Sequence, residues 1–203
     1  MVLMRTQREA DAPGGGRQWA RADATRQALL DAAKDVFAEH GYSDAGIAEI
    51  VERSGISVGS LYHHYGGKAG LFLALWEDYT GLQEQAATLA VSQARQAGEQ
   101  DPIALFIAGS RAYLQVCWEH RDTALLFHES EGPSGFSLMR RGRARQWISH
   151  NARLLAGSSS VLGLVLTTVI GEAGREIATA EGAAEADEVI DEICRILIRL
   201  STP

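Results

Sequence analysis

The chain has 203 residues, 46% of them apolar, and a formal net charge of −7. That length holds one sizeable core, or a small domain beside a medium one. The acidic balance excludes a general nucleic-acid coat protein but leaves room for DNA contact by one local surface. Two cysteines, Cys117 and Cys194, lack a Cys or His at metal-ligand spacing, which suits a reducing cytoplasm and no disulfide framework. No apolar run reaches membrane-spanning length, and no apolar segment follows the N-terminal charges as in a secretion signal. The expectation is a soluble, cytoplasmic, all-α protein with no membrane partner.

Met1 to Ala24 mixes Arg5, Arg8, Arg17 and Arg21 with Pro13-Gly14-Gly15-Gly16 and reads as a disordered arm. Its arginines are also suited to approach phosphates or a minor groove once DNA is bound. A first helix is expected from about Thr25 to His40, with Ala28, Leu29, Ala32, Ala33, Val36 and Phe37 on one stripe. Asp23 or Thr25 would cap it, Gly41 would end it, and Ser43 or Asp44 would open the next.

Ile47 to Tyr65 reads as two short helices about a sharp turn. The first is Ile47 to Ser54, and Gly55 takes the left-handed conformation that ends a helix. Ser57 is a good N-cap for the second, Val58 to Tyr65. Ile47, Ile50, Val51, Ile56 and Leu61 are spaced to share a small core, which leaves Ser60, Tyr62 and His63 facing outward. Such a pair is a helix-turn-helix, whose second helix enters a DNA major groove.

A long fourth helix follows, from Lys68 to about Ala97. Leu71, Phe72, Leu75 and Trp76 would pack on the front of the chain, and Leu82, Ala86, Leu89 and Ala90 would reach into the rear. Asp101 caps a fifth helix with Pro102 at its first position, running to Glu119. A short helix around Asp122 to Glu129 and a loop through Gly135 lead to a seventh, about Phe136 to Leu155. Its stripe is Phe136, Met139, Trp147, Asn151 and Leu154, with Arg140, Arg141, Arg143 and Arg145 read as a solvated face. The eighth helix (about Ser159 to Ala180) and ninth (about Ala184 to Ser201) are apolar over more than one face. A helix with a single neighbour needs one stripe, so the surplus implies a second contact.

TRQALLDAAKDVFAEHGY, with its Phe-x-x-x-Gly-Tyr ending, and AEIVERSGISVGSLYHHYGGKAGLF together resemble the TetR family of one-component transcriptional repressors, over roughly Thr25 to Trp76. The resemblance implies an arm (1–24), a helix-turn-helix domain (25–70) and a larger helical domain (71–203) for effector binding and dimerisation, about nine helices in all. It implies near-palindromic duplex DNA as a partner, read through Arg26, Ser43, Ser57, Val58, Gly59, Ser60, Tyr62, His63, His64 and Lys68, with Tyr62, His64 and Lys68 on phosphate. It implies a homodimer built by the last two helices, through Val161, Leu164, Val165 and Val169 on one and Ile190, Ile193, Leu197 and Leu200 on the other.

The chain departs from that family at four places. Ala45 and Gly46 replace hydroxyl residues that can bond phosphate, Val58 replaces a polar residue, and Gly67 replaces a polar cap. A pocket for an unidentified small-molecule effector is expected among Phe106, Ser110, Tyr113, Cys117, Phe127, Met139, Trp147, Asn151, Thr168 and Glu172. Glu172 stands out as a carboxylate on an apolar helix, with Arg175 or Arg143 as partner. No cofactor, metal or catalytic residue is expected: Cys117, His120, His128, Glu129 and Glu172 have no triad or metal spacing, and His63 and His64 leave a helix in different directions. The expected function is repression relieved by an effector, with activation or a protein-interaction role of weak DNA affinity as alternatives.

Overall fold

The computed structural model describes residues 15–129, 131–155 and 160–201, and among these every regular element is a helix. They are α1 (Gly15–Asp44), α2 (Ile47–Ser54), α3 (Val58–Tyr65), α4 (Lys68–Gln96), α5 (Pro102–Glu119), α6 (Arg121–Glu129), α7 (Phe136–Leu154), α8 (Ser160–Ala178) and α9 (Ala183–Ser201). No helix among the described residues is long and apolar enough to cross a membrane.

The largest departure from expectation is at the front. α1 starts at Gly15, so residues 15–24 are helical where a disordered arm was expected; residues 1–14 lie outside the described residues. Nothing in the run from Arg17 to Ala24 breaks a helix, and arginine, glutamine and alanine all favour one. Thr25 therefore rides inside the helix, its hydroxyl donating to the Arg21 carbonyl one turn back, and neither Thr25 nor Asp23 is a cap. Gly41 (φ 71°) breaks the axis, and the chain makes one further turn to Asp44. α2 then starts from Gly46, with no side-chain cap from Ser43 or Asp44.

The turn residues act as their chemistry dictates. Gly55 is left-handed (φ 67°), and the Ser57 hydroxyl accepts from Ser60 N–H to cap α3. Asp101 accepts from the N–H groups of Ile103 and Ala104, with Pro102 opening α5.

Two apolar cores result. The first gathers Leu29, Ala33, Val36 and Phe37 of α1 with Ile50, Leu61, Leu71 and Phe72. It continues past α4 into Phe127 of α6 and Phe136 of α7. Phe72 sits edge-on to Phe37, Tyr42, Phe127 and Phe136, with ring centroids 5.0–5.5 Å apart. The second core joins Phe106 and Leu114 of α5 to Leu166, Ile170 and Ile177 of α8 and Ile190, Cys194 and Leu197 of α9.

α4 packs chiefly on α5, and α7 on α8. The rear half of α4 is rotated from the expected orientation: Leu82 and Leu89 are exposed, whereas Thr80, Gln83 and Ala87 face inward. The Gln83 amide can be buried because it donates to the Cys117 sulfur at 3.3 Å.

Candidate nucleic-acid interface and ligand cavity

α3 hangs from the first core by Leu61 alone among its fully buried side chains. Its outer surface carries Val58, 49% exposed, Gly59, Tyr62, 52% exposed, and His63. Ser57 and Ser60 are bonded to each other, hydroxyl to hydroxyl at 3.1 Å, so both serve the cap in the free protein. The His63 and His64 rings meet edge-on at 5.1 Å. Arg26 is exposed one helix away, and its backbone carbonyl accepts from the Tyr65 hydroxyl at 3.0 Å, tying α3 to α1.

Lys68 is placed differently from expectation. Its ammonium donates to the Ser43 and Ala45 carbonyls, both at 3.0 Å, and lies 4.8 Å from the centre of the Tyr42 ring. The charge closes the kink after Gly41 instead of pointing outward to phosphate, and Ser43 contributes a carbonyl there. Lys68→Met keeps the stem but strands both carbonyls, so it should lower stability by about 1–3 kcal/mol in a urea melt. An unchanged melt with weakened DNA binding would restore the phosphate role.

Behind α2, Arg53 bonds both Glu39 oxygens at 2.6 Å and also reaches Glu49, while His40 lies 3.3 Å from Glu49. The Arg53 bond holds the Glu39 carboxyl below its ordinary range, and the His40 bond, then Arg53, does the same for Glu49. Glu39, His40 and Glu49 converge closely enough to suggest a metal, but the arginine already supplies the positive charge. It is a brace between α1 and α2.

The second site is a cavity of about 1160 Å³ between α4 and α7, floored by α5 and α8. Of the expected lining, Phe106, Ser110, Tyr113, Phe127, Trp147, Asn151, Thr168 and Glu172 do line it. Cys117 and Met139 do not. Cys117 is fully buried behind Gln83, and Met139 is 40% exposed on the outer side of α7. Burial pushes the Cys117 thiol up, the reverse of an activated nucleophile. Tyr79 and Tyr113 are likewise raised by burial and stay neutral.

Glu172 is not the buried carboxylate expected. It is an exposed side chain at the cavity edge, paired with Arg175 one turn on. Of the α7 arginines, Arg140, Arg141 and Arg145 are exposed as expected, and Arg143 is half-buried. Arg140 donates to the Phe127 carbonyl at 3.0 Å, and Arg143 spans to α4, bonding the Thr80 carbonyl at 3.2 Å and Glu84 at 2.7 Å. The sequence reading also missed the wall supplied by α4, including Trp76, Tyr79, Thr80 and Gln83. Their i, i+3, i+4 and i+7 spacing was the available signal.

On the outer side of α8 and α9, Leu164, Val165 and Leu200 are 45%, 43% and 49% exposed, and Val161 also faces outward. Ile190 and Leu197 are instead fully buried in the second core, and Val169 and Ile193 are packed against it. Ile196, passed over before, joins the exposed set.

The model of the bacterial regulatory proteins, tetR family, matches residues 29–75, from the buried stripe of α1 through the helix-turn-helix into α4. This segment, 47 of the 203 residues, is similar to the DNA-binding region of that family. The transcriptional repressor AcnR of Corynebacterium glutamicum is 42% identical over 66 residues, 32% of either chain. The transcriptional activator FasR of Mycolicibacterium smegmatis is 44% identical over 64 residues, 30% of this chain and 29% of FasR. The matched stretch thus spans about a third of the length of these relatives. The folds agree much further. NalD of Pseudomonas aeruginosa, a repressor of a multidrug efflux pump, superposes with a TM-score of 0.72 over 89% of this chain and 96% of NalD, at 18% identity. AibR, solved with isovaleryl coenzyme A and operator DNA, gives 0.67 over 85% of this chain and 97% of AibR, at 16% identity. Gly46 stands uncapped before α2 and Ala45 is buried, so neither offers a hydroxyl at that end of the helix.

Proposed function

We propose that the chain is a homodimeric, sequence-specific DNA-binding transcriptional regulator, acting as a repressor that leaves its operator when a small molecule enters the cavity. The observation that carries this is α3: a capped helix anchored by Leu61, presenting Val58, Gly59, Tyr62 and His63 to solvent within the segment that matches the TetR model. Val58 suits a thymine methyl, and Tyr62 a phosphate or base edge. Two such helices about 34–36 Å apart fill successive major grooves of a near-palindromic site. The exposed apolar faces of α8 and α9 supply the contact between one protomer and its partner.

Coupling follows from α4, which carries both Phe72 of the first core and Tyr79 to Ala87 of the cavity wall. A ligand that favours one position of this rod biases the separation of the reading heads, and a coupling of about 1–3 kcal/mol suffices. FasR is named an activator, so the sign of control depends on where the operator lies.

The test is fluorescence anisotropy with the duplex upstream of the chain's own gene, against a shuffled duplex at the same salt. The wild type should prefer the first at least a hundredfold. Val58→Ala and Tyr62→Ala should each weaken specific binding by about 1–3 kcal/mol without lowering the melting temperature. Equal affinity for both duplexes would overturn the reading and leave the protein-interaction alternative, consistent with an internally used Lys68.

A further inference from the structure

We propose that the cavity takes an amphipathic anion, with an acidic head group on Arg140 and Arg143 and an apolar, flat body against the aromatic wall. The proposal rests on the effector reading above and names the ligand's chemical class.

Charge is the first argument. In a protein of net charge −7, the cavity lining holds four arginines, Arg95, Arg140, Arg143 and Arg153, against one carboxylate, Glu172. Glu172 is already engaged by Arg175. A concave surface lined by one sign of charge concentrates counter-ions, so a neutral or cationic ligand would forgo the strongest field the cavity offers.

Unused bonding capacity is the second. Arg143 spends one terminal nitrogen on Glu84 and the Thr80 carbonyl, while its Nε–H is buried and has no acceptor. Arg140 bonds only a backbone carbonyl, and among the described residues it has no carboxylate within ion-pair distance. The two arginines are three residues apart on α7 and both line the cavity, so one carboxylate or phosphate there is within reach of donors from both side chains.

The body of the ligand is set by what adjoins the head. Trp76, Tyr79 and Phe127 surround the Arg140 end, and Trp147 stands one turn beyond Arg143 against Tyr113. Tyr79 and Tyr113 stay neutral, and the buried Tyr79 hydroxyl has the Cys117 sulfur and the Gln83 amide beside it. An acid group that draws Arg143 away would also release its bonds to Glu84 and Thr80, the strut that joins α7 to α4.

The experiment uses the full chain and four probes that share one body: 1-pyrenebutyrate, 1-pyrenebutyl phosphate, 1-pyrenebutanol and 1-pyrenebutylammonium. Energy transfer from Trp76 and Trp147 to pyrene reports binding. The better of the two acids should bind at least tenfold more tightly than the alcohol, about the worth of one charge-assisted hydrogen bond, and the ammonium more weakly still. Which acid wins distinguishes a carboxylate from a phosphate head. Arg143→Met and Arg140→Met should each abolish the preference for acid over alcohol, read as the ratio of the two affinities within one variant. Arg143→Lys should restore part of the preference. Equal binding of acid and alcohol, tighter binding of the ammonium, no transfer from any probe, or an acid preference that survives both methionine variants would overturn the assignment. Operator anisotropy with the tightest probe separates the two claims: a neutral probe that binds as tightly as the acids and lowers operator affinity sinks the anion and spares the effector reading, whereas a preferred acid that leaves operator affinity unchanged does the opposite.

Discussion

Gly70→Ala should cost about 3 kcal/mol or more of stability and weaken operator binding beyond what unfolding explains. A Cβ built on Gly70 would lie 1.7 Å from the Tyr65 carbonyl oxygen and 2.8 Å from its carbon, with backbone as the obstacle. Overpacked side chains escape by changing rotamer, at about 1–3 kcal/mol. A carbonyl at the end of α3 has no such escape, so either α3 shifts bodily or the first turn of α4 comes apart. A shift re-aims Val58 and Tyr62, so the molecules that remain folded also read DNA badly. Gly59→Ala is the matching control. Nothing lies within 4 Å of its Cβ position, so alanine should stabilise α3 by about 0.5–1 kcal/mol. It should still weaken operator binding by crowding the groove. Urea melts and anisotropy on both variants check the pair; a Gly70→Ala protein as stable as wild type would refute the close approach.

The parts of this fold that were legible in the sequence are those where one residue has one physical option. Gly55 and Ser57 fix the helix-turn-helix, because a left-handed stop and a side-chain cap leave little else for Arg53 to Val58. Asp101-Pro102 fixes the start of α5 for the same reason. What the sequence left open is which side of a two-faced helix turns inward. α9 offers Ala186, Ile190, Cys194 and Leu197 as one stripe and Ile196 with Leu200 as another. Periodicity finds both, but only packing shows that the first serves the chain's own core. In α4 the polar pair Thr80 and Gln83 displaced Leu82 and Leu89 from the inner face. A hydrophobicity rule cannot foresee that, because Gln83 is accommodated by a sulfur 34 positions away. Among the α7 arginines, Arg143 alone departs from the solvated face. Charge on a helix usually means solvent, yet Arg143 reaches Thr80, and the long stem that permits this is invisible to pattern.

Leu164→Glu with Val165→Glu should convert the protein to a monomer and reduce operator affinity at least a hundredfold, while the protomer's melt moves by less than about 1 kcal/mol. Both side chains are more than two-fifths exposed in the single chain, so carboxylates there meet water and cost the fold little. In a two-fold dimer the same patch appears on both protomers, so each substitution is counted twice. Burying four carboxylates without partners costs several kcal/mol apiece unless they take up protons. The loss at the operator is larger than any change at α3 would explain, because one protomer held to DNA no longer delivers its partner to the second half-site. Linkage of that kind multiplies affinity by about 10²–10⁴, and it vanishes with the dimer. Sedimentation velocity and anisotropy on one preparation decide the matter. A double variant that stays dimeric would place the contact elsewhere. One that becomes monomeric with full operator affinity would show that a single α3 reads the site alone, and the two-headed geometry would have to be given up.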